Sequence, residues 1–351
     1  MTEPNSTPHT EKKHQRLARR LLFWFLLIAL LPCGIMTAIT ARLANRALET
    51  SVQERLVQIA SARSTQLESY AAERVRDGTT LSIAPTVVTA MSQLSSVGLS
   101  ASNPTILEEE ATAYAPYLRD VATSRGYESL LLIHVDGTVL YSSTDQLKPG
   151  AKLTSESLGT TELAKSFDRS RTLLQSEMCQ FAPFGKSGKP TAFVTSPIFQ
   201  KEKVVGVLAL QLPIDRVWQI LTDTTGLGAT GEILTAERID NTARITTPLR
   251  HRSDAAYELT IPLTVEKAVA ARHASSGNRG YAVFPDYRQE EVAAAWCYLP
   301  SYRWGLVAKQ DTSEAFVLAS LRYIKFGAVF QFPHAHVGCL LSKEIIRWRT
   351  F

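Results

Sequence analysis

Cysteine is scarce and scattered. The chain has four, Cys33, Cys179, Cys297 and Cys339, no two close in sequence and none in a C-x-x-C pair. That spacing argues against a disulfide framework or a zinc site. A Cys179–Cys297 bridge in an oxidising compartment is the one pairing left open, and two buried thiols are the simpler expectation. The common enzyme motifs are missing as well. There is no Gly-x-Ser-x-Gly nucleophile elbow and no His-Glu-x-x-His helix. Gly185-Lys186-Ser187 has the end of a phosphate loop, but the position where such a loop needs its first glycine is Gln180, and Pro190 follows too soon for a helix start. His334-x-His336-x-x-Cys339 has neither a fourth ligand nor a carboxylate nearby. No catalytic residue, no metal site and no cofactor is expected.

A basic folded face is also lacking. Of the net charge of +5, residues 1–20 carry +3 and residues 322–351 carry +4, which leaves the 301 residues between them at −2. A nucleic-acid partner is therefore excluded, since it would require basic side chains on the folded domain. Hydrophobic residues at 45% and charged residues at 20% fit a chain that buries a core, and 351 residues allow one large domain or two ordinary ones.

One long apolar run is present. Leu21 to Ala41, LLFWFLLIALLPCGIMTAITA, contains no charged residue. As a helix its 21 residues span about 31 Å, enough for a hydrocarbon core of about 30 Å. Pro32 in its middle is tolerated in lipid. Arg19 and Arg20 precede the run, Arg42 and Arg46 follow it, and the larger positive charge at the N-terminal side orients that side inward. A cleaved signal peptide has a shorter apolar core. A lipoprotein signal is excluded because proline precedes the cysteine in Leu30-Leu31-Pro32-Cys33. A buried core helix fits poorly with the basic clusters on both sides.

Beyond the run, residues 42–77 contain neither Gly nor Pro, and Leu48, Val52, Leu56 and Ile59, then Leu67 and Tyr70, recur at steps of three and four. This is an amphipathic stalk helix that needs a partner for its stripe, either the following domain or a second copy of itself. Residues 78–104, rich in Ser, Thr, Gly and Pro, read as a break, and Ile106 to Ser124 as a second helix whose Glu108, Glu109 and Glu110 suit its first turns. The period then changes to that of strands. Leu130–Val135 and Thr138–Ser143 form a hairpin about Asp136-Gly137, with both turn residues expected at positive φ. Ala192–Phe199 and Val204–Leu212 form another across a Gln200–Lys203 turn, with Pro197 marking a bulge or an edge. A helix is expected from Pro213 to Leu221. Five shorter strands follow, at 231–235, 243–247, 281–284, 292–298 and 304–309. The fold class is α+β: a transmembrane helix, a long stalk helix and two tandem antiparallel-sheet modules.

This order resembles the double Cache (dCache) sensor domains of bacterial transmembrane receptors and sensor kinases. The residues that carry the resemblance include the Asp136-Gly137 hairpin with Tyr141, Phe181-Ala182-Pro183-Phe184, the runs Ala192–Phe199 and Gly206–Arg216, Thr225–Glu232, Thr247–His251, Asp286-Tyr287-Arg288 and Trp304–Asp311. It covers roughly residues 42–317. It implies PAS-like modules and the following division: a cytoplasmic tail (1–20), a transmembrane helix (21–41), a stalk (42–80), a membrane-distal module (81–221), a membrane-proximal module (222–317) and a degenerate second membrane region (318–351). It implies an inner-membrane protein with a periplasmic domain, a homodimer through the stalk, and a small-molecule ligand such as an organic acid or amino acid in the distal module. Candidate ligand contacts are Tyr117, Arg125, Tyr127, His134, Tyr141, Phe181, Phe184 and Thr195. Aromatic rings can enclose a ligand, and Arg125 could pair with a carboxylate. Residues 327–341, interrupted by Pro333, His334 and His336, are too short for a second span, so a truncation or frameshift near residue 330 is expected. The alternatives are the sensor half of a histidine kinase or a nucleotide or diguanylate cyclase without its catalytic part, and an anchored binding module that does not signal.

Overall fold

The computed structural model describes residues 9–100, 104–185, 188–265 and 268–317. The expected degenerate membrane region and the His334, His336 and Cys339 cluster lie outside the described residues. The described chain forms two compact units, residues 9–54 with 316–317 and residues 55–315.

Helix α1 (His9–Ser82) runs without interruption through Pro32. In the first unit its apolar run is exposed throughout, Phe25 to 76% and Ile28 to 69%. It is the one helix among the described residues long and apolar enough to cross a membrane.

In the second unit, α1 buries Leu56, Ala60, Ser64, Leu67, Ala71, Gly78 and Leu81 along one face. Four of these seven residues are small, so the helix backbone approaches its neighbours closely. The stripe's partner is the chain's own domain. At Gly78 an added Cβ would meet Ser196 Oγ and Val194 Cγ1 at 2.6 Å each. Ile59 and Tyr70, expected in the stripe, are only half-buried at its flank.

The expected break at 78–104 is a correction. α1 continues to Ser82, and α2 (Pro85–Ser100) follows with Val87, Ala90, Met91 and Leu94 buried. Pro85 is its first residue, where the missing N–H costs no hydrogen bond. The single helix expected over 106–124 is two, α3 (Pro104–Ala111) and α4 (Ala115–Ser124).

The first sheet is antiparallel in the order β2-β1-β6-β5-β3, with β4 also on β5. Its strands are β1 (Ser129–His134), β2 (Val139–Ser142), β3 (Glu177–Met178), β4 (Ala182–Pro183), β5 (Pro190–Gln200) and β6 (Lys203–Pro213). The β1–β2 loop has three residues, closed by the Gly137 N–H to His134 O at 2.9 Å and the His134 N–H to Thr138 O at 2.8 Å. Only Gly137 takes positive φ there, so Asp136-Gly137 is not the two-residue turn expected. That turn sits instead at Lys201-Glu202, φ 47° and 65°, where the long β5–β6 pairing imposes it on residues other than glycine. The register shift in β5 falls between Ile198 and Phe199, next to Pro197. Helix α5 (Glu162–Leu173), which the sequence reading missed, starts at Thr161, whose hydroxyl accepts the Ala164 N–H at 3.2 Å.

Helix α6 (Asp215–Thr222) leads to the second sheet, ordered β10-β11-β12-β7-β8-β9. Its strands are β7 (Glu232–Ile239), β8 (Thr242–Ile245), β9 (Thr260–Pro262), β10 (Gly280–Pro285), β11 (Glu291–Leu299) and β12 (Trp304–Asp311). β9 and helix α7 (Val269–Ser275) were not anticipated, and α8 (Thr312–Ala315) follows β12 directly. Cys179 and Cys297 are buried free thiols, and burial pushes Cys179 up to about 12.

Gly78→Ala tests the helix-to-sheet crossing. A methyl group there forces Val194, a stiff β-branched side chain, to move, which outweighs the gain of about 1 kcal/mol in helix propensity. The expected net loss is roughly 1–2 kcal/mol in urea denaturation, and an unchanged or raised midpoint would contradict the close approach.

Candidate functional site

A cleft of about 780 Å³ opens beside the edge of the first sheet. Glu108 and Ala111 of α3, Thr112, then Ala115, Pro116 and Arg119 of α4 form one wall. Tyr141 and Ser142 of β2 with Thr144, Asp145, Leu147, Lys148 and Pro149 form the other. The two short helices that replace the expected single helix form the first wall, with α3 packed against β2 and α4 against β1. The volume suits a small molecule.

The floor is apolar and buried, with Ala111, Tyr141 and Leu147 at 4%, 4% and 8% exposure. The rim is charged. Glu108, Arg119, Asp145 and Lys148 are exposed, and among the described residues none of the four side chains has an ion-pair partner. Burial raises the Tyr141 phenol, with the Arg119 charge opposing, so the hydroxyl stays neutral and can donate. It lies 3.5 Å from Ala115 O, at the long limit of a hydrogen bond. Two cations, two carboxylates, a phenol and the Ser142 and Thr144 hydroxyls around an apolar floor can hold a zwitterion; they contain no nucleophile–base pair.

Of the side chains anticipated from sequence, Tyr141 alone lines this cleft. Tyr117 is 41% exposed on α4. Arg125 and Tyr127 meet each other at Asp77 of α1 instead: Arg125 Nη1 is 3.2 Å from Oδ1, and the Tyr127 hydroxyl donates to Oδ2 at 2.9 Å. The Arg74 guanidinium covers the Tyr70 and Tyr127 rings at 5.4 Å each. Burial and then the bond to Asp77 push the Tyr127 phenol up, as a structural clamp requires. His134 contacts Asp136 at 2.9 Å in the hairpin loop. Phe181 stacks on Tyr302 at 6.3 Å, Phe184 meets Phe193 edge-on at 4.9 Å, and Thr195 shares a buried 2.6 Å hydrogen bond with Ser166. Arg119, Asp145 and Lys148 were missed. The hydroxyl-rich run Ser142-Ser143-Thr144-Asp145 directly after Tyr141 was the available signal.

With this geometry established, comparison places the fold. The Cache domain family model dCache_1 matches residues 44–320. The chain belongs to the Cache domain family. The ligand-binding domain of the Campylobacter jejuni chemoreceptor Tlp3, solved with 4-methylisoleucine, is 10% identical, with a TM-score of 0.53 over 76% of this chain and 94% of that one. The same receptor domain with L-valine gives 10% and 0.51 over 77% and 96%. The extracellular domain of the proposed histidine kinase mmHK1S-Z2 gives 12% and 0.50 over 75% and 98%. At these identities the likeness is one of fold, and these neighbours are sensor domains rather than catalytic ones. No curated protein matches the chain.

The Cache domain's second sheet holds a different charged cluster, closed on itself. Lys309, 2% exposed, lies 2.7 Å from Glu232 and also bonds Asp286. Arg288 joins Asp286 at 2.8 Å and Asp311 at 2.5 Å, and the Tyr287 hydroxyl donates to Glu232 at 2.8 Å. Burial alone would raise the Asp286 carboxyl, but the bond to Lys309, its charge and Arg288 outweigh that and hold it low. These groups satisfy one another, which identifies a structural network.

Lys309→Met leaves buried Glu232 without its cation and Asp286 with Arg288 alone, and is expected to cost about 3–5 kcal/mol in chemical denaturation. The depressed Asp286 carboxyl contributes stability that is complete above the ordinary carboxylate range and lost as pH falls through its folded value. The wild type should therefore lose stability on acidification below about pH 4, and the part contributed by Asp286 should be smaller in Lys309→Met, where only Arg288 still holds the carboxyl down. Equal acid sensitivity in both would show that Lys309 does not hold Asp286.

Proposed function

We propose that the chain is a membrane-anchored sensor whose first-sheet module lies outside the cytoplasm and binds a free amino acid or a similar small zwitterion. The observation that carries this reading is the cleft beside Tyr141, with four rim charges of both signs that have no ion-pair partner among the described residues, above an apolar floor. A zwitterion places a carboxylate near Arg119 or Lys148 and an ammonium near Asp145 or Glu108 without burying an uncompensated charge. The L-valine and 4-methylisoleucine bound by the Tlp3 domain support the same ligand class. The apolar helix at residues 21–41 supplies the anchor, and the basic residues before it favour a cytoplasmic N-terminus in a bacterial inner membrane. Dimerisation is proposed along the solvent side of α1, where Val57 is 43% exposed, since the opposite face is occupied by the chain's own domain.

Thermal shift and calorimetric titration of the chain in detergent micelles, against the twenty amino acids and small dicarboxylates, test the reading. A ligand at 100 times its Kd adds about 2.7 kcal/mol to stability and raises Tm. Removing one charge-assisted contact costs roughly 1.5–3 kcal/mol, so Arg119→Ala should weaken binding about 10- to 100-fold. Tyr141→Ala should also weaken it, whereas Arg125→Ala should leave affinity unchanged because that side chain is committed to Asp77. Binding untouched by Arg119→Ala and Tyr141→Ala would remove the cleft from consideration.

A further inference from the structure

The loop from Asp223 to Thr230 connects α6 to β7 and is tied to several other parts of the second unit. Arg63 of α1 pairs with Asp223 at 2.6 Å. Arg250 bonds the Ala229 carbonyl and reaches the Thr224 hydroxyl at 3.0 Å. From the outgoing end, Glu314 of α8 accepts the Ala229 N–H at 2.7 Å on one carboxylate oxygen. Its other oxygen accepts the Thr230 N–H at 2.8 Å and the Thr230 hydroxyl at 2.5 Å. Gly228 makes room for this carboxylate: an added Cβ would lie 2.2 Å from Glu314 Oε1, and its φ of +73° already favours glycine.

Among the described residues, α8 has few other side-chain anchors. β12 is buried from Trp304 to Gln310, but α8, which follows it, contributes no buried residue. Besides Glu314, its side-chain anchor is the Thr312 hydroxyl on Glu291 O at 3.2 Å. A segment fixed by polar contacts near solvent separates from the domain at far smaller cost than one fixed by a core. The loop it rests on touches both the incoming helix and the last helix of the first-sheet layer.

We propose that Glu314 is a latch: its carboxylate, held by the Ala229–Thr230 amides, fixes the resting position of the segment that leaves the second sheet, and movement of the 223–230 loop releases it. The proposal rests on the sensor reading for its purpose, because a released segment is the step by which a bound ligand would be reported. The bonds to Thr230, chiefly that from its hydroxyl, hold the Glu314 carboxyl down at about 2, so the latch stays ionised at neutral pH and works by geometry rather than by protonation.

Hydrogen–deuterium exchange on the full chain in lipid nanodiscs, without added ligand, tests the latch. Glu314→Gln keeps the shape and loses the charge, and Glu314→Ala removes the acceptor. Each should accelerate exchange at Ala229, Thr230 and residues 312–315 by about tenfold or more, with β1, β5, β6, β7 and β11 unchanged. Unchanged exchange at those sites would overturn the proposal. Acceleration spread through β7 to β12 would overturn it equally, since Glu314 would then be part of the fold's core. The ligand-free design separates this outcome from amino-acid binding: local release in a chain that binds no amino acid would leave the latch standing and remove only the sensor reading.

Discussion

The Tyr302 hydroxyl donates to the carbonyl oxygen of Leu67 at 2.9 Å, and both residues are buried. That carbonyl lies within α1, and its second lone pair is available to a side chain even when the helical bond is made. The ring that delivers the hydroxyl lies parallel to Phe181, with 4° between their planes, and Trp304 closes the cluster at 5.8 Å from Phe181 and 5.2 Å from Tyr302. Phe181 precedes β4 of the first sheet, Trp304 opens β12 of the second, and Tyr302 lies in the turn before it. One aromatic cluster therefore joins both sheets and the helix that enters them. Each ring buries on the order of 150–250 Å², so separating the layers would expose a large apolar area and strand a buried phenol. The close crossing at Gly78 and the Asp77 clamp build on the same placement of α1.

Much of this architecture was legible in the sequence because it rests on period. The apolar run at 21–41, the stalk stripe and the central strands of both sheets follow patterns that a single chain displays. The failures have physical causes. Pro85 and Pro104 were read as breaks between elements, although both open helices, where proline needs no N–H partner. β3, β4 and β9 are two or three residues long and have no period to detect. The turn chemistry misled as well: Asp136-Gly137 has the favoured composition and takes a three-residue loop, while Lys201-Glu202 lacks it and takes the tight turn.

The site was less legible than the fold. Aromatic and cationic residues were weighed by type, but their roles depend on what stands opposite them. Arg125 and Tyr127 face Asp77, 48 and 50 residues away in sequence. Phe181 faces Tyr302 across the two sheets. Of the candidates, Tyr141 is the one that lines the cleft. Nothing local to these residues marks the difference, since it arises from packing between distant segments.

The two charged clusters differ in how far their charges are already paired. In the second, Glu232, Asp286, Lys309, Arg288 and Asp311 are already paired with one another, so a polar ligand could enter only by breaking buried pairs, at several kcal/mol each. At the cleft, Glu108, Arg119, Asp145 and Lys148 are exposed and have no ion-pair partner among the described residues, so a ligand there would break no buried pair. The first arrangement favours rigidity and the second exchange. The closed network extends through Arg288 to Asp311, the last residue of β12, so this rigid layer ends where the weakly held outgoing segment begins.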